Sequence, residues 1–191
     1  MIKRQFLITG FTLIELMVTL SIGAILLTVA VPSFIQFQRN SELTTITNSL
    51  IAAINTARAE AMKTGMNALV VATNNGSDWS KGWVVFVDID NDGSYSTGDT
   101  IVMTRDALPS HITVSGTNTI AATPSYIRYN SSGFSKPKLG DLANATINLS
   151  RNDVASTDYS QIRRIKIAKT GRPRVCTPQS DSDAACSKTE D

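Results

Sequence analysis

The stretch from Gly10 to Pro32, GFTLIELMVTLSIGAILLTVAVP, constrains everything else in this chain. It is apolar apart from one carboxylate, Glu15, near its start, and Lys3 and Arg4 stand before it. About 20 apolar residues are enough to span a hydrocarbon core as a helix. A lone carboxylate in hydrocarbon costs roughly 2.5–3.5 kcal/mol, so Glu15 points to a function rather than to packing. The two leader charges put Lys3 and Arg4 on the cytoplasmic side and everything after Pro32 outside.

Lys3-Arg4, then Gly10-Phe11-Thr12-Leu13-Ile14-Glu15-Leu16, then an apolar run closing at Pro32, resembles the class III signal of type IV pilins and type II secretion pseudopilins. The resemblance implies that a prepilin peptidase cuts after Gly10 and methylates the new amine of Phe11. It implies further that Glu15 pairs with an N-terminal amine inside a filament of other pilins. A secretory signal peptide differs, because its cleavage site follows its apolar core and the core is discarded. A plain signal anchor would leave Glu15 without a partner. The implied location is a single pass through the inner membrane with a periplasmic domain, and then a pilus at the cell surface.

Residues 1–10 are therefore read as leader and 11–32 as the membrane and filament-core helix. Pro32 removes a backbone donor and is expected to kink the helix or mark a soft point. Over 33–65 the pattern turns amphipathic. Leu43, Ile46, Leu50, Ile54, Ala57 and Ala61 recur at three- and four-residue steps and make one apolar stripe. Gly65 is a natural stop. The helix is predicted over about 12–64, near 80 Å long at about 1.5 Å per residue. Ala57-Arg58-Ala59-Glu60-Ala61-Met62-Lys63-Thr64-Gly65 resembles the end of the long helix in the GspH/FimT family, with Arg58 and Glu60 structural.

About 150 residues follow the membrane helix, enough for one domain with a core of its own. After Gly65 the period falls to two, and 66–176 reads as a β domain. Strands are predicted at 68–72, 82–88, 101–104, 112–115, 125–129, 145–149 and 162–168. Gly82-Trp83-Val84-Val85-Phe86-Val87-Asp88 is nearly continuous in apolar character, as a central strand would be, and also looks like the GspH/FimT family. Residues 106–124 read as an irregular connection, and 150–160 as a polar, mobile loop. The lone histidine, His111, reads as a surface or turn residue. No nucleophile elbow, phosphate-binding glycine loop or zinc motif appears, so no catalytic site is expected.

Between the strands at 82–88 and 101–104 the spacing Asp88, Asp90, Asp92, Gly93, Asp99 matches a D-x-D-x-D-G calcium loop with a carboxylate at its twelfth place. Strands rather than helices flank it, and Asp99 is shorter than the usual Glu. The alternative is a solvated hairpin turn, since Asp, Asn and Gly all favour turns. The sequence favours the turn, with no cofactor required and Ca²⁺ as the one candidate.

Net charge is only +2, but it is unevenly spread. Residues 136–174 hold nine basic side chains (Lys136, Lys138, Arg151, Arg163, Arg164, Lys166, Lys169, Arg172, Arg174) against Asp141, Asp153 and Asp158. In the strand 162–168, Ile165 and Ile167 face one side, and Arg164, Lys166 and then Lys169 the other. Gly171 can take positive φ at the turn that follows, and Pro173 stiffens the chain between Arg172 and Arg174. Cys176 and Cys186 pair by default in an exported domain, closing a short loop worth about 2–3 kcal/mol. The tail, 177–191, carries Asp181, Asp183, Glu190 and Asp191. It either competes with ligands for the arginines or is disordered.

A fixed arginine cluster suits phosphate, because each guanidinium offers paired donors and is always charged. Phosphate contacts without base reading give salt-sensitive, sequence-tolerant DNA binding. Gly171-Arg172-Pro173-Arg174 also resembles the GRxR motif of FimT-type minor pilins, which bind DNA during natural transformation. That implies Arg172 and Arg174 as core contacts, with Arg164, Lys166, Lys169, Lys136 and Lys138 around them and Phe134 as an aromatic neighbour. The bland alternative is an edge strand that uses charge to block aggregation.

The expected fold class is α+β: a long, partly transmembrane N-terminal helix packed on an antiparallel β domain, two sheets in a sandwich-like arrangement. The expected function is a minor type IV pilin that binds extracellular double-stranded DNA for uptake. The alternative is a structural pseudopilin of a type II secretion system, or a pilus-assembly subunit without DNA binding.

Overall fold

The computed structural model describes residues 10–138 and 143–188, without the side chain of Asn74. The leader charges Lys3 and Arg4, Asp141, and the tail residues Glu190 and Asp191 lie outside the described residues. The chain separates into two compact units, Met1–Arg39 and Asn40–Asp191.

The helix α1 spans Leu13–Thr64, within a residue of the predicted bounds. In the first unit the large apolar side chains between Phe11 and Phe37 are exposed, as in a segment made for lipid or for other helices. Thr12 caps it: the Glu15 backbone N–H donates to Thr12 Oγ1 at 3.2 Å. Thr12 and Glu15 thus stand at the two ends of a capping-box spacing, and Glu15 sits at the positive end of the helix dipole. Sequence reasoning passed over this local role. The helix continues through Pro32.

In the second unit the rest of α1 buries the predicted stripe. Leu43, Ile46, Leu50, Ile54, Ala57 and Ala61 are all buried, joined by Ala53 and Thr47. The hydroxyl of Thr47 satisfies itself on the Leu43 carbonyl at 2.7 Å. Gly65 ends the helix with φ +71.

Eight strands make two four-stranded antiparallel sheets. The first has the order β3-β2-β1-β5, from β1 (Asn67–Ala72), β2 (Trp83–Asp88), β3 (Thr100–Arg105) and β5 (Tyr126–Tyr129). The second has the order β4-β6-β7-β8, from β4 (Ile112–Gly116), β6 (Ala145–Arg151), β7 (Ile162–Ile167) and β8 (Pro173–Cys176). As expected, β2 is interior and forms a hairpin with β3, with a bulge at Val85/Phe86. Between β1 and β2 two short 3₁₀ segments, Thr73–Asn75 and Trp79–Lys81, carry the buried Trp79 into the core.

One apolar cluster joins α1 to the inner faces of both sheets, including Val70, Trp83, Val85, Ile127, Ile147, Leu149, Ile165 and Ile167. β1 is buried on both faces because a second, smaller cluster of Leu69, Val71, Phe86 and Tyr126 sits outside the first sheet. The β2–β3 loop covers that cluster with Tyr95, whose ring meets Phe86 edge-on at 5.5 Å.

His111 lies in a turn, as expected, and its Nε2 stands 3.0 Å from Glu42 Oε2. One expectation is corrected. Arg151, at the head of the stretch expected to be a mobile loop, is buried. It bonds Asp153 through both Nε (2.8 Å) and Nη2 (2.9 Å), and donates Nη1 to the same Glu42 oxygen. Burial alone would raise the Glu42 carboxyl, but the bonds from Arg151 and His111 outweigh it and hold Glu42 below its ordinary value. These partners lie 69 and 109 residues apart in sequence, which is why no local pattern shows them.

Candidate nucleic-acid interface

The second sheet shows two faces. Ile165 and Ile167 of β7 point into the core, as predicted from their alternation. On the outer face the strand register sets two rows side by side: Thr146, Lys166 and Arg174 in one, Asn148, Arg164 and Cys176 in the next.

The second row is closed. Cys176 is disulfide-bonded to Cys186 with 5.8 Å between their Cα atoms, which brings the tail across the sheet. Arg164 lies beneath it, fully buried, donating Nη1 to the Cys186 carbonyl and Nε to Asn148 Oδ1 at 3.2 Å. Arg164, expected to be on display, is therefore removed from the interface, because the tail folds back over it. Burial pulls its guanidinium below the ordinary arginine value, while Asp181 and Asp183 of the tail oppose that shift. The tail acids thus face Arg164. Asp181 pairs with Lys188 at 2.6 Å, and Asp183 caps the short helix Ala184–Cys186 by accepting from the Ala185 and Cys186 amides. Through residue 188 the tail is an ordered cover rather than a disordered extension.

The first row opens into a cleft of about 500 Å³. It is lined by Asn144, Thr146, Lys166, Lys169, Thr170, Arg172 and Arg174, together with the backbone neighbourhood of Ile167 and Ala168. Lys169, Arg172 and Arg174 are exposed. Lys166 is mostly buried and donates Nζ to Ser187 Oγ at 3.0 Å, so it contributes its charge from the cleft wall.

The loop that carries the two arginines is held from three sides. Gly171 has φ +81, and a Cβ there would stand 2.1 Å from the Gly133 carbonyl oxygen, so glycine is required both by the backbone and by the close approach. The Tyr129 hydroxyl donates to the Gly171 carbonyl at 3.0 Å. Burial pushes that hydroxyl well above its ordinary value, so it stays a donor at any physiological pH. Arg58 of α1 donates Nε to the Gly133 carbonyl at 2.9 Å and Nη2 to the Thr170 carbonyl at 3.1 Å. Arg58 is structural, as expected; Tyr129 was missed, because nothing local to it signals a partner 42 residues away.

Lys136 is exposed, and the preceding Ser135 amide donates to the Lys169 carbonyl at 3.3 Å, so its segment borders the cleft. Phe134 is also exposed and follows Gly133, which touches the arginine loop. Lys138 is directed elsewhere. Its Nζ lies 3.2 Å from Ser94 Oγ and 5.9 Å from the Tyr126 ring centroid, on the acidic loop. Lys138 thus leaves the predicted cluster. In the acidic loop itself Asp88, Asp90 and Asp99 converge, while Asp92 accepts the Ser94 amide at 2.6 Å and stands apart.

A long amphipathic helix on a two-sheet antiparallel domain, behind an N-terminal apolar segment, defines a pilin-like protein. Residues 47–171 match the family described as type II transport protein GspH, and residues 8–31 match the prokaryotic N-terminal methylation motif. The chain belongs to the GspH family. No curated protein matches it in sequence.

Similar folds are found in the type IV minor pilin FimU of Pseudomonas aeruginosa (strain PAO1). In one crystal form the TM-score is 0.58 with 22% identity, over 75% of this chain and 98% of FimU. In a second it is 0.51 with 20% identity, over 75% and 97%. The minor pseudopilin EpsH of the Vibrio cholerae type 2 secretion system aligns with a TM-score of 0.50 and 12% identity, over 71% of this chain and 97% of EpsH. The chain is thus a membrane-anchored subunit of the minor pilin and pseudopilin class, a class of structural proteins rather than enzymes. Its methylation motif implies processing by the prepilin peptidase and assembly with other pilins.

Proposed function

We propose that this protein is a minor type IV pilin whose basic cleft binds extracellular double-stranded DNA for uptake in natural transformation. The observation that carries this reading is the cleft: Lys166 of β7, Arg174 of β8, and Lys169 and Arg172 of the turn between them line one opening, and Arg58, Tyr129 and Gly171 hold that turn. Fixed guanidinium groups lose little freedom on meeting phosphate, and they contact the DNA backbone without reading bases. Lys136 and Phe134 extend the surface at its border. Before assembly the subunit crosses the inner membrane once with its β domain outside; afterwards it stands in a pilus at the cell surface.

The alternative is a structural pseudopilin or pilus-assembly subunit. It draws support from β8, an edge strand whose charges also discourage unwanted pairing. Titrating residues 38–191 with double-stranded DNA of two unrelated sequences at two salt concentrations separates the two readings. DNA uptake predicts micromolar binding, indifferent to sequence, that weakens steeply with salt. In the double variant Arg172→Ala/Arg174→Ala the log–log salt slope should shrink by about two units. No binding at low salt overturns the DNA reading in favour of the structural one.

A further inference from the structure

We infer that the β2–β3 loop is a calcium site, with Asp88, Asp90 and Asp99 as its side-chain ligands. The spacing alone permitted a plain turn; three observations go beyond it. First, carboxylate oxygens of these three residues lie within 4.8 Å of one another. Calcium binds oxygen at about 2.3–2.6 Å, so two ligands of one ion stand at most about 5 Å apart. Secondly, Asp88 is 2% exposed, and its Oδ1 has no hydrogen-bond partner among the described residues. A buried carboxylate oxygen left bare is costly, and Asp88 is one of the three carboxylates that converge here. Thirdly, the loop folds as an ion-wrapping loop must. Gly93, sixth in the run, has φ +73 and donates its amide to Asp88 Oδ2 at 3.1 Å.

The nearby cations answer this charge only in part. Arg128 approaches Asp88 electrostatically, but its Nη2 is bonded to Asn91 Oδ1 at 2.8 Å. Lys138 lies along Gly93 and reaches Ser94. Asp99 accepts the Ile89 amide at 2.9 Å and the Ser96 amide at 2.7 Å. Each carboxylate oxygen has a second lone pair, so these bonds orient Asp99 and leave it able to ligate. The ion would fasten the loop whose Tyr95 covers the outer apolar cluster of the first sheet. This inference is independent of DNA binding.

The test is calorimetric titration of CaCl₂ into the full processed chain in detergent micelles, after stripping with chelator, with the melting temperature followed in parallel. One ion per chain is expected, with Kd around 10⁻⁴–10⁻³ M as in extracellular modules, and an upward shift in Tm at millimolar Ca²⁺. Mg²⁺ at the same concentration should give a smaller response, since it demands a tighter octahedral shell. Asp88→Asn should raise Tm in chelator, by removing the bare buried charge, and abolish the response to Ca²⁺. Asp99→Ser should abolish the response without that gain. No heat and no Tm shift in the parent chain overturns the site, as does an undiminished response in both variants. An equal response to Mg²⁺ overturns its assignment to calcium.

Discussion

Two sets of arginines in one domain are put to opposite uses. Arg58, Arg151 and Arg164 are turned inward onto carbonyls and carboxylates, and they hold distant segments together. Arg172 and Arg174 come from the same cationic stretch as Arg151 and Arg164, yet they stand exposed, at and just beyond a turn that others hold still. One member of the first set, Arg58, holds the turn that leads to the second. A guanidinium offers five donors in a rigid fork whether it meets backbone carbonyls or phosphate. What separates the two sets is burial: Arg151 and Arg164 are buried, whereas Arg172 and Arg174 are exposed.

Substitution should separate the sets sharply. Arg151→Ala leaves Glu42 and Asp153 without their main partner, and losing a buried guanidinium from two half-buried carboxylates is expected to cost ~2 kcal/mol in urea denaturation. A loss under ~1 kcal/mol would reclassify Arg151 as a surface residue. Gly171→Ala forces both a left-handed alanine and a clash with the Gly133 carbonyl, and should cost about 1–3 kcal/mol while weakening DNA binding. Tyr129→Phe removes one buried hydrogen bond, at ~1 kcal/mol. DNA affinity unchanged in Tyr129→Phe would show that the loop holds its shape without it.

Glu42 gives a pH readout. Its folded pKa is depressed, so its contribution is fully present above the unfolded carboxylate pKa and is lost as pH falls through the lower folded value. Stability of the parent should therefore drop more steeply on acidification below the ordinary carboxylate range than that of Glu42→Gln. Identical acid profiles would dismiss the ionic link among Glu42, Arg151 and His111. The smallest effect on stability is expected for Arg172→Ala, within about 0.5 kcal/mol. A large loss there would erase the distinction between the two sets.

The periodic parts of this structure were legible in the sequence. The stripe on α1, the interior position of β2 and the inward side of β7 all follow from local spacing that burial then obeys. The arginine loop was legible too, because Gly171 and Pro173 announce their backbone constraints. What could not be read depends on chain that returns from far away. The tail reaches Arg164 from 22 residues on, Glu42 meets Arg151 across 109, and Tyr129 meets Gly171 across 42. Lys138 fails for the same reason: its neighbours in space are Ser94 and Tyr126 rather than its neighbours in sequence.

The bond between Cys176 and Cys186 also sets an order of events. Arg164 is made by the ribosome well before the residues that bury it, and the link that secures them forms only where thiols oxidise. Until that link forms, no covalent bond holds the tail over Arg164, so the burial of a single charge is timed first by translation and then by oxidation.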